Sequence, residues 1–172
     1  SCISERIDIE MITENGLKLI LTDSFFSKLN ENEGYLDKYN MPEQVIFMKN
    51  RFTEESDLPV FFGKPEIWTE NENIRVQGDI TATVFFLLSR WEEYVITDRD
   101  DYDRFPGEKS FLQRNKLHYR PIVNETAFFL RNALKSLNYN YDAPSAGFEI
   151  KASHDIDNIL KYNGLYKTAR TI

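Results

Sequence analysis

The feature that most constrains the fold is a short strand-like run that passes directly into a long helical segment. Ile74 to Gln77 has the character of a short strand and ends at Gly78. Asp79 is a favourable helix N-cap, and apolar residues recur at helical spacing from Ile80 to Val95. A strand that leads at once into a helix predicts a domain in which both kinds of element share one core. The apolar positions that define this predicted helix are Val84, Phe85, Leu87, Leu88, Trp91 and Tyr94.

Further strands are predicted on both sides of this segment. Residues 6–12 and 17–21 alternate or run apolar around Asn15-Gly16, a pair that tolerates positive φ, and this pattern predicts a β-hairpin. Short apolar runs at residues 45–48 and 59–62 predict two more buried strands.

A second main helix is predicted from Pro121 to about Asn138, because proline is favoured at an early helical position. The expected fold class is therefore α/β or α+β, with a small mixed sheet, a β-hairpin and two main helices. Residues 1–140 are predicted to form this domain. Its second helix is expected to turn Ile122, Ala127, Phe128, Leu130 and Leu134 inward.

The C-terminal part of the chain is predicted to begin something new. Residues 141–147 contain Pro, Ser and Gly and are predicted to form a linker. Residues 148–172 follow as a separate segment, with a strand predicted over 148–153 and a helix from Asn158.

Composition excludes several classes of function. The 172 residues carry a net charge of −7, and no basic stripe offsets it, so nucleic acid is not an expected partner. Thirteen Phe and nine Tyr predict an aromatic-rich interior. Cys2 is the only cysteine, which excludes an intramolecular disulfide and a thiolate metal cluster. No apolar run is long enough for a transmembrane segment.

The termini leave localisation open. The start of the chain shows no signal-peptide pattern, which favours the cytoplasm, but it also lacks an initiator Met. We therefore expect a piece of a longer protein, trimmed at both ends. The oligomeric state is not predicted.

Two carboxylates at the end of the predicted strand 148–153 are the strongest candidate site. In an extended segment Asp155 and Asp157 point to the same side, where they repel each other unless a proton or cation lies between them. Such a pair is typical of a metal site or an acid–base site. The alternative is structural, with Asp157 capping a helix from Asn158 and Asp155 solvated.

A second acidic segment, Asp98 to Asp103, does not fit a calcium loop. From Asp98 the sixth position is Asp103 rather than Gly, and the twelfth is Lys109 rather than Glu. We expect these carboxylates to be solvated and paired with Arg99 and Arg104. In the preceding segment Trp91 and Tyr94 are expected to pack inward, and Glu92 and Glu93 to face water.

Four runs in a fixed order support a resemblance to a known group of proteins. They are Asp79–Tyr94, Arg104–Ser110, Arg120–Glu125 and Ser153–Asp157. Together they resemble the uncharacterised N-terminal domain that precedes a catalytic domain in Bacteroidetes polysaccharide-deacetylase-family proteins. The resemblance covers the chain from about Leu17 onward.

The resemblance implies a chemistry for the acidic pair. The catalytic half of these proteins resembles a (β/α)-barrel carbohydrate esterase, so residues 148–172 would be the first β–α unit of a truncated barrel-like domain. Asp155 would be the catalytic base and Asp157 a ligand of a divalent metal, most simply zinc. Two histidines from a later His-x-x-x-His would complete the metal site. This chain has only His118 and His154, and we expect the fragment alone to bind no metal tightly and to be inactive.

The function that this resemblance implies is that of an accessory domain. The parent protein would be a metal-dependent hydrolase that removes N-acetyl groups from a polysaccharide, with a cell-surface glycan as the expected substrate. The alternative is a non-catalytic module that binds a glycan or a protein, with Trp68, Trp91 and tyrosines as an aromatic platform.

Overall fold

The computed structural model describes residues 8–29, 34–139, 147 and 149–153 of the chain. The chain divides into two compact units, Ser1–Tyr141 and Asp142–Ile172. All the regular secondary structure of the described residues lies in the first unit.

The first unit contains a four-stranded mixed sheet and a separate two-stranded sheet. In the larger sheet the strands lie in the order β1-β2-β6-β5, and only the β2–β6 pair is parallel. In the smaller sheet β3 and β4 are antiparallel. The strands are β1 Ile9–Ile12, β2 Lys18–Leu21, β3 Ile46–Lys49, β4 Asp57–Val60, β5 Gly63–Glu70 and β6 Asn73–Gly78.

The predicted hairpin is confirmed by the pairing of β1 with β2. Its turn closes where the Gly16 N–H donates to the Thr13 carbonyl, with Gly16 at a φ of 79°. Only glycine adopts that angle without cost, so the Asn15-Gly16 pattern predicted the turn for the correct physical reason.

The long helix predicted over residues 80–95 is wrong as a single helix. The structure has α1 at Ile80–Leu88 and α2 at Trp91–Val95, separated by Arg90 in the left-handed conformation with φ 54°. In one continuous helix Leu88 and Trp91 would share a face. Instead Leu88 is 67% exposed and Trp91 is fully buried, because the break turns Trp91 into the core.

The second predicted helix is confirmed as α4, Ile122–Ser136, but its inward face is rotated from the prediction. Ile122 is buried, as expected, and Leu130 and Leu134 are partly buried. Ala127 and Phe128 are exposed, whereas Phe129 is fully buried. The predicted buried face of the helix is shifted by one residue. The sequence has phenylalanine at both 128 and 129, so the periodic pattern alone does not show which of the two is buried. A short helix, α3 at Phe111–Arg114, was not predicted.

Two clusters of buried side chains form the core. One lies between the strands and α4, and the other is rich in aromatic residues, as the composition predicted. The first contains Leu19, Leu21, Met48, Phe52, Leu58, Val60, Ile74, Val76, Ile80, Phe129, Ala133 and Leu137. The second contains Phe25, Phe61, Ala82, Phe86, Trp91, Phe111, Leu117 and Ile122.

The structure confirms the α/β fold class with a small mixed sheet, a hairpin and two main helices, one of them broken. The strand predicted over 148–153 is not found in its described part, since residues 149–153 are exposed and adopt no regular structure. A strand needs a neighbour to pair with. The barrel-like unit stays a prediction. No helix in the described part of the chain is long and apolar enough to cross a membrane.

Candidate binding cleft

A cleft of about 390 Å³ lies beside the start of β5 in the first unit. Its lining residues come from three segments of the chain, within residues 24–29, 40–46 and 61–63. Leu29, Met41 and Phe62 give it apolar walls. A second recess of about 240 Å³, lined mostly by polar residues, shares Ser24, Lys28 and Gly63 with the cleft. The recess is lined by Thr22, Ser24, Lys28, Gly63, Lys64 and Gln77.

Gln77, one of the residues that line the recess, has a buried acceptor without a hydrogen bond. Gln77 Oε1 is buried, and no donor among the described residues reaches it. A buried amide oxygen without a partner costs about 1–3 kcal/mol. The other such atom in the described part of the chain is Asp8 Oδ1, whose carboxylate already accepts from Arg75 Nη1 at 2.8 Å.

An irregularity in the pairing of β5 with β6 forms the wall of this recess. Gly63 pairs with Gly78 and Ile67 pairs with Val76, so three residues of β5 lie opposite Gln77 alone. Pro65, within that bulge, has no N–H to donate. Bulges of this kind often occur beside functional sites, where they redirect side chains.

Glycine is required at position 63. Its φ is +84°, and a Cβ there would lie 2.3 Å from the Gln77 carbonyl oxygen and 2.8 Å from the Asp79 amide nitrogen. The close approach lets the Asp79 N–H donate to the Phe62 carbonyl at 2.9 Å. The backbone at the rim of the recess is therefore fixed by a contact that no larger residue permits.

Asp79 fixes the position of Ser24 and Phe25, two residues that line the cleft. The Ala82 N–H donates to Asp79 Oδ1 at 2.9 Å, which confirms the predicted N-cap of α1. The N–H groups of Ser24 and Phe25 donate to Oδ2 at 2.7 and 3.0 Å. Burial raises the pKa of the Asp79 carboxyl, although these three N–H donors oppose the change. One buried carboxylate thus joins the wall of the cleft to the first helix.

The Arg120 motif also has a structural role. Arg120 Nη1 donates to Asp57 Oδ1 at 3.0 Å, and Nη2 and Nε donate to the Glu125 carboxylate at 2.6 and 3.1 Å. The hydrogen bonds that Arg120 donates to Glu125 raise the pKa of Arg120 most, and those to Asp57 act in the same direction. This largely buried network joins β4 to the first turn of α4.

The expectation that Glu92 faces water is wrong. The Phe111 N–H and the Ser110 hydroxyl donate to its carboxylate, so Glu92 fixes the start of α3. Burial raises the pKa of Glu92, while the Phe111 N–H acts against this. The expectation that Tyr94 packs inward is also wrong, since its side chain is 70% exposed.

Trp91 is fully buried, and its indole N–H donates to the Asp37 carbonyl at 3.1 Å. It therefore cannot serve in the aromatic platform predicted for a sugar. Trp68 lies on β5 and is partly buried.

The acidic loop is tied together by ion pairs, as predicted for Arg104. Arg104 pairs with Asp100 at 3.0 Å, and Lys109 pairs with Asp98 at 3.2 Å. The Arg104 N–H, the largest cause, lowers the pKa of Asp100 by donating to it. Arg99 donates to backbone carbonyls, including that of Ile96 at 2.8 Å. Its predicted pairing with the loop carboxylates is not found among the described residues.

The predicted catalytic residue Asp155 and metal ligand Asp157 lie outside the described residues. Within residues 8–29, 34–139 and 149–153, no group of three His, Cys, Asp or Glu side chains comes together as a metal ion would need. The structure therefore leaves both assignments as predictions.

A family model described as a family of unknown function (DUF7033) matches residues 5–139. The chain belongs to this family. No curated protein and no solved structure matches the chain. The DUF7033 segment contains the cleft, the Asp79 cap, the Glu92 contact and the Arg120 network, whereas Asp155 and Asp157 follow it.

Sequence patterns did not point to the cleft. Lys28, Lys64 and Gln77 are separated along the chain and belong to no recognised motif. Gly63-Lys64-Pro65 was the available signal, since glycine and proline within a strand often mark a bulge.

Proposed function

We propose that the DUF7033 unit is the accessory N-terminal domain of a metal-dependent polysaccharide deacetylase, which removes N-acetyl groups from its glycan. The observation that supports this proposal is how the motif residues of the unit are used. Asp79, Glu92 and Arg120 are each engaged in contacts that join one element to another. An accessory domain needs such contacts for its fold, and the chemistry would then belong to the segment that follows.

In the proposed parent protein Asp155 is the general base and Asp157 is one ligand of a divalent metal, with zinc as the expected ion. The ion would polarise the acetamide carbonyl and lower the pKa of a bound water. A catalytic zinc site takes about three protein ligands. This chain has two histidines in all, at 118 and 154, so its own residues do not fit a complete site of the expected kind.

Acetate release by the full-length parent tests the proposal. Asp157→Ala should abolish metal-dependent release of acetate from an N-acetylated glycan such as a chito-oligosaccharide, because it removes a ligand. Asp98→Ala is the control, since it removes a carboxylate from an exposed loop and should leave the rate unchanged. Equal rates of acetate release for the wild type and Asp157→Ala would contradict the assignment of Asp157 as a metal ligand of a deacetylase.

The second candidate is a non-catalytic glycan-binding module, and the cleft is the observation that favours it. A concave site with apolar walls and a few polar groups at one end is the usual form of a small-ligand site. Leu29, Met41 and Phe62 provide the walls, and the recess at Gln77 provides the polar groups. The two candidates are compatible, because an accessory domain can hold the polysaccharide on which its parent acts.

A further inference from the structure

We propose that a groove along the outer face of α4 binds one ring of a neutral oligosaccharide, with Phe128 packed on the C–H face of the sugar and Asn124 and Asn132 hydrogen-bonded to its hydroxyls. This groove shares no lining residue with the cleft described above. The inference rests on the glycan-binding candidate, which it deepens by naming a ligand class and a second site. It does not depend on the deacetylase assignment.

The groove has a volume of about 300 Å³ and is lined by the turn at residues 52–55 and by the outer face of α4. Pro121, Asn124, Phe128 and Asn132 all line it. They follow one another at three or four positions, so they form one stripe along the helix. The volume is at the small end of the range for ligand sites, and it therefore suits one sugar ring rather than several.

Hydrogen bonds and packing within the chain hold the turn against the helix. Asn132 Nδ2 donates to the Phe52 carbonyl at 2.8 Å, which joins the turn directly to α4. The N–H groups of Phe52 and Thr53 both donate to Asn50 Oδ1, at 2.8 and 3.0 Å. The Phe52 ring packs edge-on against Phe129, with 5.5 Å between the ring centroids. A ligand therefore meets a groove that is already formed, which lowers the entropic cost of binding.

Phe128 provides an accessible aromatic surface in this groove. Its side chain is 50% exposed, although the guanidinium of Arg131 lies over the ring at 5.0 Å from the centroid. A sugar ring has an apolar C–H face that can pack on an aromatic ring, and its hydroxyls project around the edge. The exposed part of Phe128 therefore matches one face of a sugar, and the groups around Phe128 must match the hydroxyls.

Two amides flank Phe128, one helical turn to either side. Asn124 is exposed and Asn132 is partly exposed, so both can reach a ligand. An amide offers donors and an acceptor, and Asn132 uses only one of its two amide hydrogens on the Phe52 carbonyl. A hydroxyl both donates and accepts, so it can pair with either end of an amide. An apolar side chain from a protein partner would instead take water from the amides and replace none of their hydrogen bonds.

The charges around the groove favour a neutral ligand. Glu54 and Glu55 line it and are exposed, so an anionic ligand would meet two carboxylates. A cation packed on Phe128 would instead lie against Arg131. Glu125 also lines the groove, but its carboxylate is paired with Arg120 at 2.6 Å. A ligand with hydroxyls and no charge fits all of these groups.

The test is an NMR titration of the ¹⁵N-labelled 172-residue chain with two neutral trimers, cellotriose and triacetylchitotriose. At least one of them should shift the amide resonances of residues 52–55 and 121–132, with an affinity that NaCl leaves unchanged. The β-1,4-linked trimer of glucuronic acid is the charged counterpart of cellotriose. It should bind at least about 3-fold more weakly than cellotriose, because its carboxylates approach those of the turn.

Two substitutions on α4 separate the aromatic contact from the amide contact. Phe128→Ala should raise the Kd of the neutral trimer at least about 10-fold, because the packing surface is lost. Asn124→Ala should raise it about 5-fold through the loss of hydrogen bonds. Tyr102→Ala is the matched control and should leave the Kd unchanged. Tyr102 is 77% exposed and has Arg104 over its ring at 4.7 Å, but it lies outside the groove.

The melting temperature of each variant shows whether it folds. Should Phe128→Ala unfold, Phe128→Leu keeps an apolar side chain for the fold and still removes the flat ring. No shifts with either neutral trimer at millimolar concentration, or an unchanged Kd in Phe128→Ala, would overturn the proposal. Equally tight binding of the acidic trimer would overturn its neutral part.

The position of the shifts separates this proposal from the cleft. Shifts confined to residues 24–29 and 40–46 would overturn the groove as the site and would support sugar binding in the cleft. Every one of these outcomes concerns binding by the 172-residue chain, so each is distinct from a loss of acetate release by the parent.

Discussion

At the scale of single residues, Asp79 shows which contacts a local sequence pattern can predict and which it cannot. Its role as N-cap could be predicted, because an aspartate directly before an apolar helical pattern satisfies the first N–H groups. Its second role, accepting hydrogen bonds from the Ser24 and Phe25 N–H groups, could not be predicted. These residues lie more than fifty positions away in the sequence and come near only in the folded chain. The same limit applies to Gln77, because its side-chain oxygen is left unpaired by the way the folded chain buries it and not by its sequence neighbours.

Gly63 carries the first prediction. Gly63→Ala should lower the free energy of unfolding by about 2–4 kcal/mol, from the left-handed φ and the overlap with the Gln77 carbonyl. Gly107→Ala is the control, because a Cβ there meets nothing within 4 Å and φ is not positive. Urea unfolding of both variants measures the difference. Equal stability of the two would mean that the backbone at Gly63 is not held as described.

Asp79 carries a pH prediction. Because burial raises its pKa in the folded state, the folded chain holds this proton more tightly than the unfolded chain does. The proton on Asp79 therefore stabilises the folded state. This stabilisation is fully present below about pH 4, the ordinary pKa of an unfolded aspartate, and it is lost as the pH rises through the raised pKa of the folded state. Asp79→Asn cannot titrate and should cost about 2–3 kcal/mol, since its amide NH₂ opposes backbone donors.

The advantage of wild type over Asp79→Asn should therefore be largest near pH 4 and should shrink toward pH 7. Chemical unfolding of both proteins at several pH values measures it. An advantage that grows as the pH rises would show that the N–H donors outweigh burial and that the pKa is lowered.

At the scale of elements, sequence periodicity predicted most of the strands and helices but not their breaks. The strands β1 to β4 and β6, and the helices α1 and α4, were found close to their predicted positions. The break at Arg90 was missed because the apolar pattern continues across it, while the burial of Trp91 decides the geometry. β5 was missed because its turn to β6 uses Asn71 and Glu72 at positive φ, where glycine would have been the clear signal.

The Arg120 network carries the prediction for this scale. Arg120→Ala should destabilise the fold by about 3–5 kcal/mol, because it leaves the buried Glu125 carboxylate without its partner. Arg120→Met with Glu125→Gln should recover about half of this loss, since the buried Glu125 charge is removed together with its partner and only the more exposed Asp57 carboxylate remains. Thermal or urea unfolding measures both.

Arg104→Ala provides the matched control. Its ion pair with Asp100 has a similar geometry but lies in solvent, and its removal should change stability very little. A loss as large as that of Arg120→Ala would show that burial does not set the strength of these ion pairs.

At the scale of the whole molecule, the fold class and the aromatic interior could be predicted because they depend on patterns spread along the chain. The predicted linker 141–147 falls almost wholly outside the described residues and stays a prediction, as do Asp155 and Asp157. The cleft could not be predicted, because its walls come from three separate segments that only the folded sheet brings together. What the unit does therefore has to be tested in the parent protein and in the cleft separately.

The metal content of the full-length parent tests the central claim most directly. We predict about one divalent ion per chain in the wild type and in Asp98→Ala, and loss of that ion in Asp157→Ala. Elemental analysis of the three purified proteins measures this without relying on a chosen substrate. No metal in the wild type, or the same metal content in all three, would contradict the proposed deacetylase.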